Sequence, residues 1–308
     1  MLVKRSVLTA KIESSYGVDS TPGTSDVVRA ENIELNLSEG ARMHERPAAR
    51  GSLGMLKHVY GGSLASISFD VPIAGSGTAG TPPETGDLLR ACGLGETVSA
   101  ETSVTYRPAS SGQESVTIKF YEDGTLYVLL GCVGNPSISG EAGKFGVFSF
   151  TFTGHLTGPT DASIITGSFS TVVPPVIQSA AFTIDSYAGV IGTLSTDLQN
   201  QIVTPPSVNA ADGYAAIRIT GRDPVGTIDP EMELVATEDW VGNWRSGAAM
   251  ALTIGSIGGT AGNIWDLDMP AVSYREVGRG DRDGVRTLEL TFGCAESSGD
   301  DELSLVFS

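Results

Sequence analysis

Ala65-Ser66-Ile67-Ser68-Phe69-Asp70-Val71, preceded by Leu64, alternates apolar and polar residues one by one. Successive side chains of a strand point to opposite faces, so this period of two sends Ala65, Ile67, Phe69 and Val71 to a core and Ser66, Ser68 and Asp70 away from it. The run continues to Pro72 and Gly75. Ala215-Ala216-Ile217-Arg218-Ile219 begins 150 residues later and continues likewise to Pro224 and Gly226. Working outward, Phe150-Thr151-Phe152 recurs as Leu290-Thr291-Phe292 at an offset of 140. A short helical stretch, Asp87 to Cys92, sits where Asp239 to Trp244 sits later. Order is kept throughout, so the chain reads as a β module that occurs twice, and a repeated module supplies similar interfaces for assembly.

The 308 residues suit two domains of about 150 each. The expected division is an N-terminal domain over residues 1–158, including an arm over 1–25, a linker over 159–178, and a C-terminal domain over 179–308. Gly is abundant at 39, and charged residues make up only 18%, a composition that fits a turn-rich all-β protein. No stretch approaches the roughly 20 apolar residues that span a bilayer, and Met1 to Ser6 lacks an apolar signal-peptide core, so no membrane partner and synthesis in the cytoplasm are expected. Cys92, Cys132 and Cys294 are odd in number and set among apolar residues, which argues for buried thiols over a disulfide framework or zinc site.

The net charge of −17 is unevenly divided: residues 1–160 carry −4 and residues 161–308 carry −13. Such an acidic chain lacks the cations that grip phosphates.

Along the chain, Ile33, Leu35 and Leu37 alternate with polar residues as a strand. A glycine-rich excursion over residues 38–61 separates it from the strand at Leu64. That excursion is basic, with Arg42, Arg46, Arg50 and Lys57 against Glu45. Loops longer than about 12 to 15 residues between paired strands are commonly functional. These four cations are candidates for contact with the acidic surface of another subunit. Val116–Tyr121 and Leu126–Leu130 flank Asp123-Gly124, a strong hairpin signal, and Asp283-Gly284 marks another. Strands are expected at Asn263–Met269, Val272–Val277, Val285–Phe292 and Leu303–Phe307, and strands at this spacing point to a sandwich or barrel.

Catalytic and metal readings fare poorly. His44, His58 and His155 have no motif partner at a useful spacing. Asp281-Arg282-Asp283-Gly284 opens like a calcium loop but lacks the later ligands, so a hairpin turn is the better reading. Asp300-Asp301-Glu302 reads as a solvated acidic turn. Trp240 and Trp244, four apart on the second helix, are expected to cover the open end of a sandwich, with Trp265 in the core. No cofactor or catalytic residue is assigned.

The sequence resembles the major tail tube proteins of long-tailed bacteriophages, particularly those with a duplicated tube domain. The resemblance is carried by Val7-Leu8-Thr9-Ala10-Lys11-Ile12-Glu13-Ser14-Ser15-Tyr16-Gly17, by Val71 to Pro83 leading into Leu88-Leu89-Arg90-Ala91-Cys92-Gly93, and by the hairpin from Ser115 to Leu126. It implies two tandem β-sandwich or barrel modules, each with a flanking helix and a long hairpin loop that stacks on the next ring. It also implies self-assembly, three chains per pseudo-sixfold ring, and a place in the virion tail beside tape-measure, terminator and distal tail proteins. An acidic lumen would let DNA pass unbound. Alternating polar positions Glu34, Asp70, Asp266 and Glu289 are candidates to line it. The competing reading is a carbohydrate-binding or adhesive β-sandwich, with a hydrolase behind it.

Overall fold

The computed structural model describes Leu2 and residues 4–308. The first half contains β1 (Ser6–Ile12), β2 (Val27–Val28), β3 (Glu31–Glu39), β4 (Met43–His44), β5 (Val59–Tyr60) and β6 (Leu64–Pro72). A short helix α1 (Gly86–Ala91) follows, then β7 (Leu94–Ser99), β8 (Ser103–Pro108), β9 (Val116–Glu122), β10 (Thr125–Glu141) and β11 (Val147–Asp161). The second half contains β12 (Ala181–Ile184), β13 (Thr193–Asp197), β14 (Ile202–Val203), β15 (Arg218–Ile219), β16 (Val225–Ile228) and the helix α2 (Trp240–Ser246). It closes with β17 (Met250–Ile257), β18 (Trp265–Arg282), β19 (Val285–Cys294) and β20 (Ser304–Phe307). The protein is all-β, as expected.

The alternation in β6 is realised in full. Ala65, Ile67, Phe69 and Val71 are buried, and Ser66, Ser68 and Asp70 lie on the other face. Phe148, Phe150 and Phe152 of β11 are buried beside them, with the Phe69 ring 5.7 Å from Phe150 and 6.0 Å from Phe152. Burying each such ring contributes about 1.5–3 kcal/mol. Both predicted two-residue hairpins form. Asp123 and Gly124 have φ of 37° and 109°, and Asp283 and Gly284 have 53° and 86°. Positive φ at both positions matches the twist of the flanking strands.

Strands follow the order β3-β6-β11-β10-β9-β1 in the first half and β13-β16-β19-β18-β17-β12 in the second, all antiparallel. Phe150-Thr151-Phe152 and Leu290-Thr291-Phe292 occupy the corresponding strands β11 and β19. Each backs onto a glycine. A Cβ on Gly134 would sit 2.5 Å from the Phe152 ring, and one on Gly226 would sit 2.3 Å from the Phe292 ring. The pairing of Ala65–Phe69 with Ala215–Ile219, however, shifts: the strand beside β19 is β16, nine residues further on than the sequence match. Ala215 to Ile217 are held in a loop, where the Ile217 N–H donates to the Tyr16 hydroxyl at 2.7 Å.

The halves meet along β10 and β13, where Ser137 to Glu141 run opposite Asp197 to Thr193. They meet again at β20, which lies between β18 and β8, with Phe307 opposite Val104 and Leu305 opposite Tyr106. Buried residues from both halves form one continuous cluster, from Leu8 to Phe307.

Two long strands change partners midway. β10 pairs with β9 up to Cys132, breaks register between Leu130 and Val133 against β11, and then runs on beside β13. Gly131, at φ 59°, sits in the bend. The carboxyl group of Glu13, 7% exposed, holds that bend. It accepts from the Gly131 N–H at 2.8 Å, the Thr117 hydroxyl at 2.9 Å, the Ser115 hydroxyl at 2.6 Å and the Gly17 N–H at 2.7 Å. In β18, the predicted strands at Asn263–Met269 and Val272–Val277 are one strand, with a register break between Tyr274 and Glu276.

The α2 helix is capped by the Asp239 side chain, which accepts from the Gly242 N–H at 2.8 Å. Its two tryptophans separate. Trp240 is buried, its ring 5.8 Å from Tyr187 and 6.1 Å from Tyr274. Trp244 stays 40% exposed, with its indole N–H on the Arg275 carbonyl at 3.3 Å.

Candidate functional site: a polar sheet face

Eight strands in the order β3-β6-β11-β10-β13-β16-β19-β18 form one sheet that spans both halves. One face supplies the core. Register fixes the other. Glu34 lies opposite Ser68, Ser68 opposite Thr151, and Thr151 opposite Asn135. A neighbouring row runs from Asp70 through Ser149 and Ser137 to Asp197. Another runs from Ser139 through Ser195, Thr227 and Thr291 to Glu276. The face is therefore paved with short hydroxyl side chains and carboxylates.

Its hydrogen bonds tie the carboxylates down. Asp70 accepts from the Ser149 hydroxyl at 2.6 Å and the Asn32 amide at 2.8 Å. Asp197 accepts from the Asn135 amide and the Gln199 N–H, each at 2.7 Å. The two guanidiniums on this face are both engaged by acids. Arg282 meets Asp229 at 3.1 Å and Glu231 at 2.9 Å, and Arg275 meets Asp223 at 2.8 Å. Hydrogen bonds from Arg275 hold the Asp223 carboxyl below its usual range. Glu34, Glu276 and Glu289 are exposed and form no ion pair among the described residues, so uncompensated negative charge remains.

Of the four acids singled out in the sequence, Glu34, Asp70 and Glu289 lie on this face. Asp266 does not. It sits where β18 is flanked by β17 and β20, and accepts from the Ser256 backbone N–H. Asp197, Asp229 and Glu276 belong to the face but were not singled out, since their position depends on pairing between the halves.

The sheet has an open edge at each end. No strand among those described pairs with the far side of β3, or with the far side of β18 beyond Val272.

The basic excursion projects from one end of the sheet as a hairpin. Met43 opposite Tyr60 and His44 opposite Val59 form its ladder, and beyond it every residue except the half-buried Leu56 is exposed. Arg42 anchors the base, its guanidinium 4.0 Å from the centre of the Tyr214 ring and 3.2 Å from the Gly213 carbonyl. Gly62, at φ 106°, lies so close to Asp212 that a Cβ would fall 1.9 Å from its carbonyl oxygen. Arg46, Arg50 and Lys57 have no ion pair among the described residues, while Glu45 faces His58 at 3.7 Å. His155, within β11, links the Tyr16 hydroxyl at 3.0 Å to Asp212 at the base of this arm. Among the described residues no three His, Cys, Asp or Glu side chains converge as a metal site.

The chemistry of this molecule is thus spread along an extended face with open edges, the arrangement of an all-β structural protein. The chain matches the phage tail tube protein family over residues 4–294 and belongs to it. It is a structural protein of the tail tube, a component of the virion tail that assembles with itself. A search of curated proteins gave no match.

Proposed function

We propose that three copies close a ring in which β3 of one chain pairs with the free edge of β18 in the next, with the polar face turned to the lumen. The observation that carries this reading is the eight-strand sheet with one open edge at each end. Edge strands present unpaired N–H and C=O groups, and closure into a ring satisfies them. The domains over 1–158 and 179–308, joined by 159–178, would each supply four strands. Six modules and twenty-four strands then surround the channel. At about 4.8 Å per strand the wall is roughly 115 Å around, which leaves a passage wide enough for duplex DNA.

Three chains at −17 each carry −51. With Glu34, Asp70, Asp197, Glu276 and Glu289 on the inner surface, phosphates are repelled and DNA moves through without being held. The role is structural and not enzymatic. Its partners are further copies of the chain, the tape-measure protein during assembly, and the terminator and distal proteins at the tube ends. Negative-stain microscopy of purified protein tests the reading. Threefold rings with six lobes and an open channel, stacking into tubes, are expected, and persistent monomers that bind glycans would refute it.

A further inference from the structure

Resting on the ring reading, we infer that Arg279, on the free edge of β18, enters a groove beside β3 of the next chain and pairs there with Glu122, in the register that the seam inside each chain already displays. The register follows from the repeat. In the second half, the row from Glu276 through Thr291 and Thr227 to Ser195 is met at its Ser195 end by Ser139 of the first half. The matching first-half row runs from Asn135 through Thr151 and Ser68 to Glu34, where it stops at the open edge of β3. Ser139 lies opposite Val147, and Gly280 lies opposite Thr287, again at the offset of 140 that relates β11 to β19. Gly280 of one chain therefore takes its place opposite Glu34 of the next, and Arg279 opposite Leu35.

The seam inside the chain shows what Arg279's position does. Ile138, opposite Thr196, occupies it there, and it is only 4% exposed. It lines a cavity together with Phe182 of β12, Leu194 of β13 and Ile254 of β17. In the first half, β1, β3 and β9 hold the places of β12, β13 and β17. They border a corresponding groove of about 630 Å³, lined by Lys4, Ile33, Leu35, Phe120, Glu122 and Tyr127 among others.

This second groove differs in being charged. Glu122 is half-buried, and neither it nor Lys4 forms an ion pair among the described residues. On the edge that would meet them, Arg279 and Asp281 are exposed and lack an ion pair as well. Each side thus offers one cation and one anion. A guanidinium carried into the place of Ile138 is costly to bury alone, and Glu122 supplies the carboxylate that offsets this. The seam within a chain is apolar at this point, whereas the joint between chains needs both partners. Pairs of this kind select partner and register more than they add affinity.

Charge exchange and cross-linking test the pairing. Arg279→Glu should fold as wild type in thermal melts, since the side chain is exposed, and should need roughly tenfold more protein to form rings. Adding Glu122→Arg to the same chain should restore the wild-type threshold. Unchanged assembly of the single variant, or no recovery in a folded double variant, overturns the inference. A cysteine pair reads the register independently of charge. Assembled rings of Leu35→Cys, Arg279→Cys protein, mildly oxidised, should give closed covalent trimers that reductant collapses, the native thiols being buried. Leu37→Cys with Arg279→Cys, two residues out of register, should give none. Rings that link through position 37 and not 35, or through neither, overturn the register and leave the tail tube reading intact. Wild-type protein that forms neither rings nor tubes overturns both.

Discussion

Replacing Glu13 with alanine should be among the most destabilising single changes in this molecule. The side chain is 7% exposed and takes two backbone N–H groups and two hydroxyls. Removing it leaves four donors without an acceptor, and each stranded buried donor costs about 1–3 kcal/mol. The hydroxyls of Ser115 and Thr117 can rotate, and water can enter the vacated space, so the terms do not add in full. An overall loss of about 3–5 kcal/mol follows. Glu13→Gln keeps one carbonyl oxygen but turns an amide N–H toward the remaining donors, and should cost about 2–3 kcal/mol. Urea unfolding followed by tryptophan fluorescence reads both values, provided the slope with denaturant stays constant. A loss below about 1 kcal/mol for Glu13→Ala at unchanged slope would show that the bend at Gly131 is held by packing alone, and the argument from donors would fail.

Asp300 is held down to about 2, first by the Ser110 hydroxyl and then by Arg222. A carboxylate depressed below its unfolded range of about 3.9 stabilises the fold above that range, and the contribution is lost as pH falls through the folded value. Asp300→Asn should therefore be less stable than wild type at pH 7, with the gap narrowing as pH falls from about 4 toward and below 2 in parallel thermal melts; a gap as large at about pH 2 as at pH 7 contradicts the assignment. Cys92, Cys132 and Cys294 are buried, and burial pushes the Cys294 thiol up to about 12, so an aromatic disulfide reagent should label none in native protein and all three in denaturant. Any thiol reacting fully before unfolding would count against it. Assembled tubes of Glu34→Lys, Glu276→Lys, Glu289→Lys protein should retain labelled duplex DNA at 50 mM salt and release it at 200 mM, whereas wild-type tubes should retain none. Equal retention by both would remove the lumen from that face.

How much of this was readable beforehand varies with the distance over which residues act. The alternation of Ala65 to Val71 and the Asp123-Gly124 turn are local signals, and both are realised. The helices at Leu88 and Trp240 were legible for the same reason, although the outward turn of Trp244 depends on Arg275 beyond the helix. Pairing of Ser137 with Asp197 lies outside any local pattern, so Asp197 and Glu276 could not be assigned to the face that holds Glu34 and Glu289. Ala215 to Ile219 looked like the partner of Ala65 to Phe69 because composition matched, while the close approach of Phe292 to Gly226 selects the later segment. The four arm cations were visible as a group. That Arg42 serves as the anchor and the others as the free set is decided by Tyr214, 172 residues away.

The strand at Ser304–Phe307 carries an implication for how the protein is made. Val104 and Phe307 are sheet neighbours some 200 residues apart in the chain, a separation that makes their union slow compared with any hairpin. On the ribosome, the β7–β8 hairpin emerges early and keeps a bare edge until residues 304–307 arrive to cover it. A bare edge is a template for pairing with the wrong chain. Shortening the protein by those few residues would leave β8 and β18 both uncovered in an otherwise formed molecule, and such chains should accumulate as aggregates before any tube begins to grow.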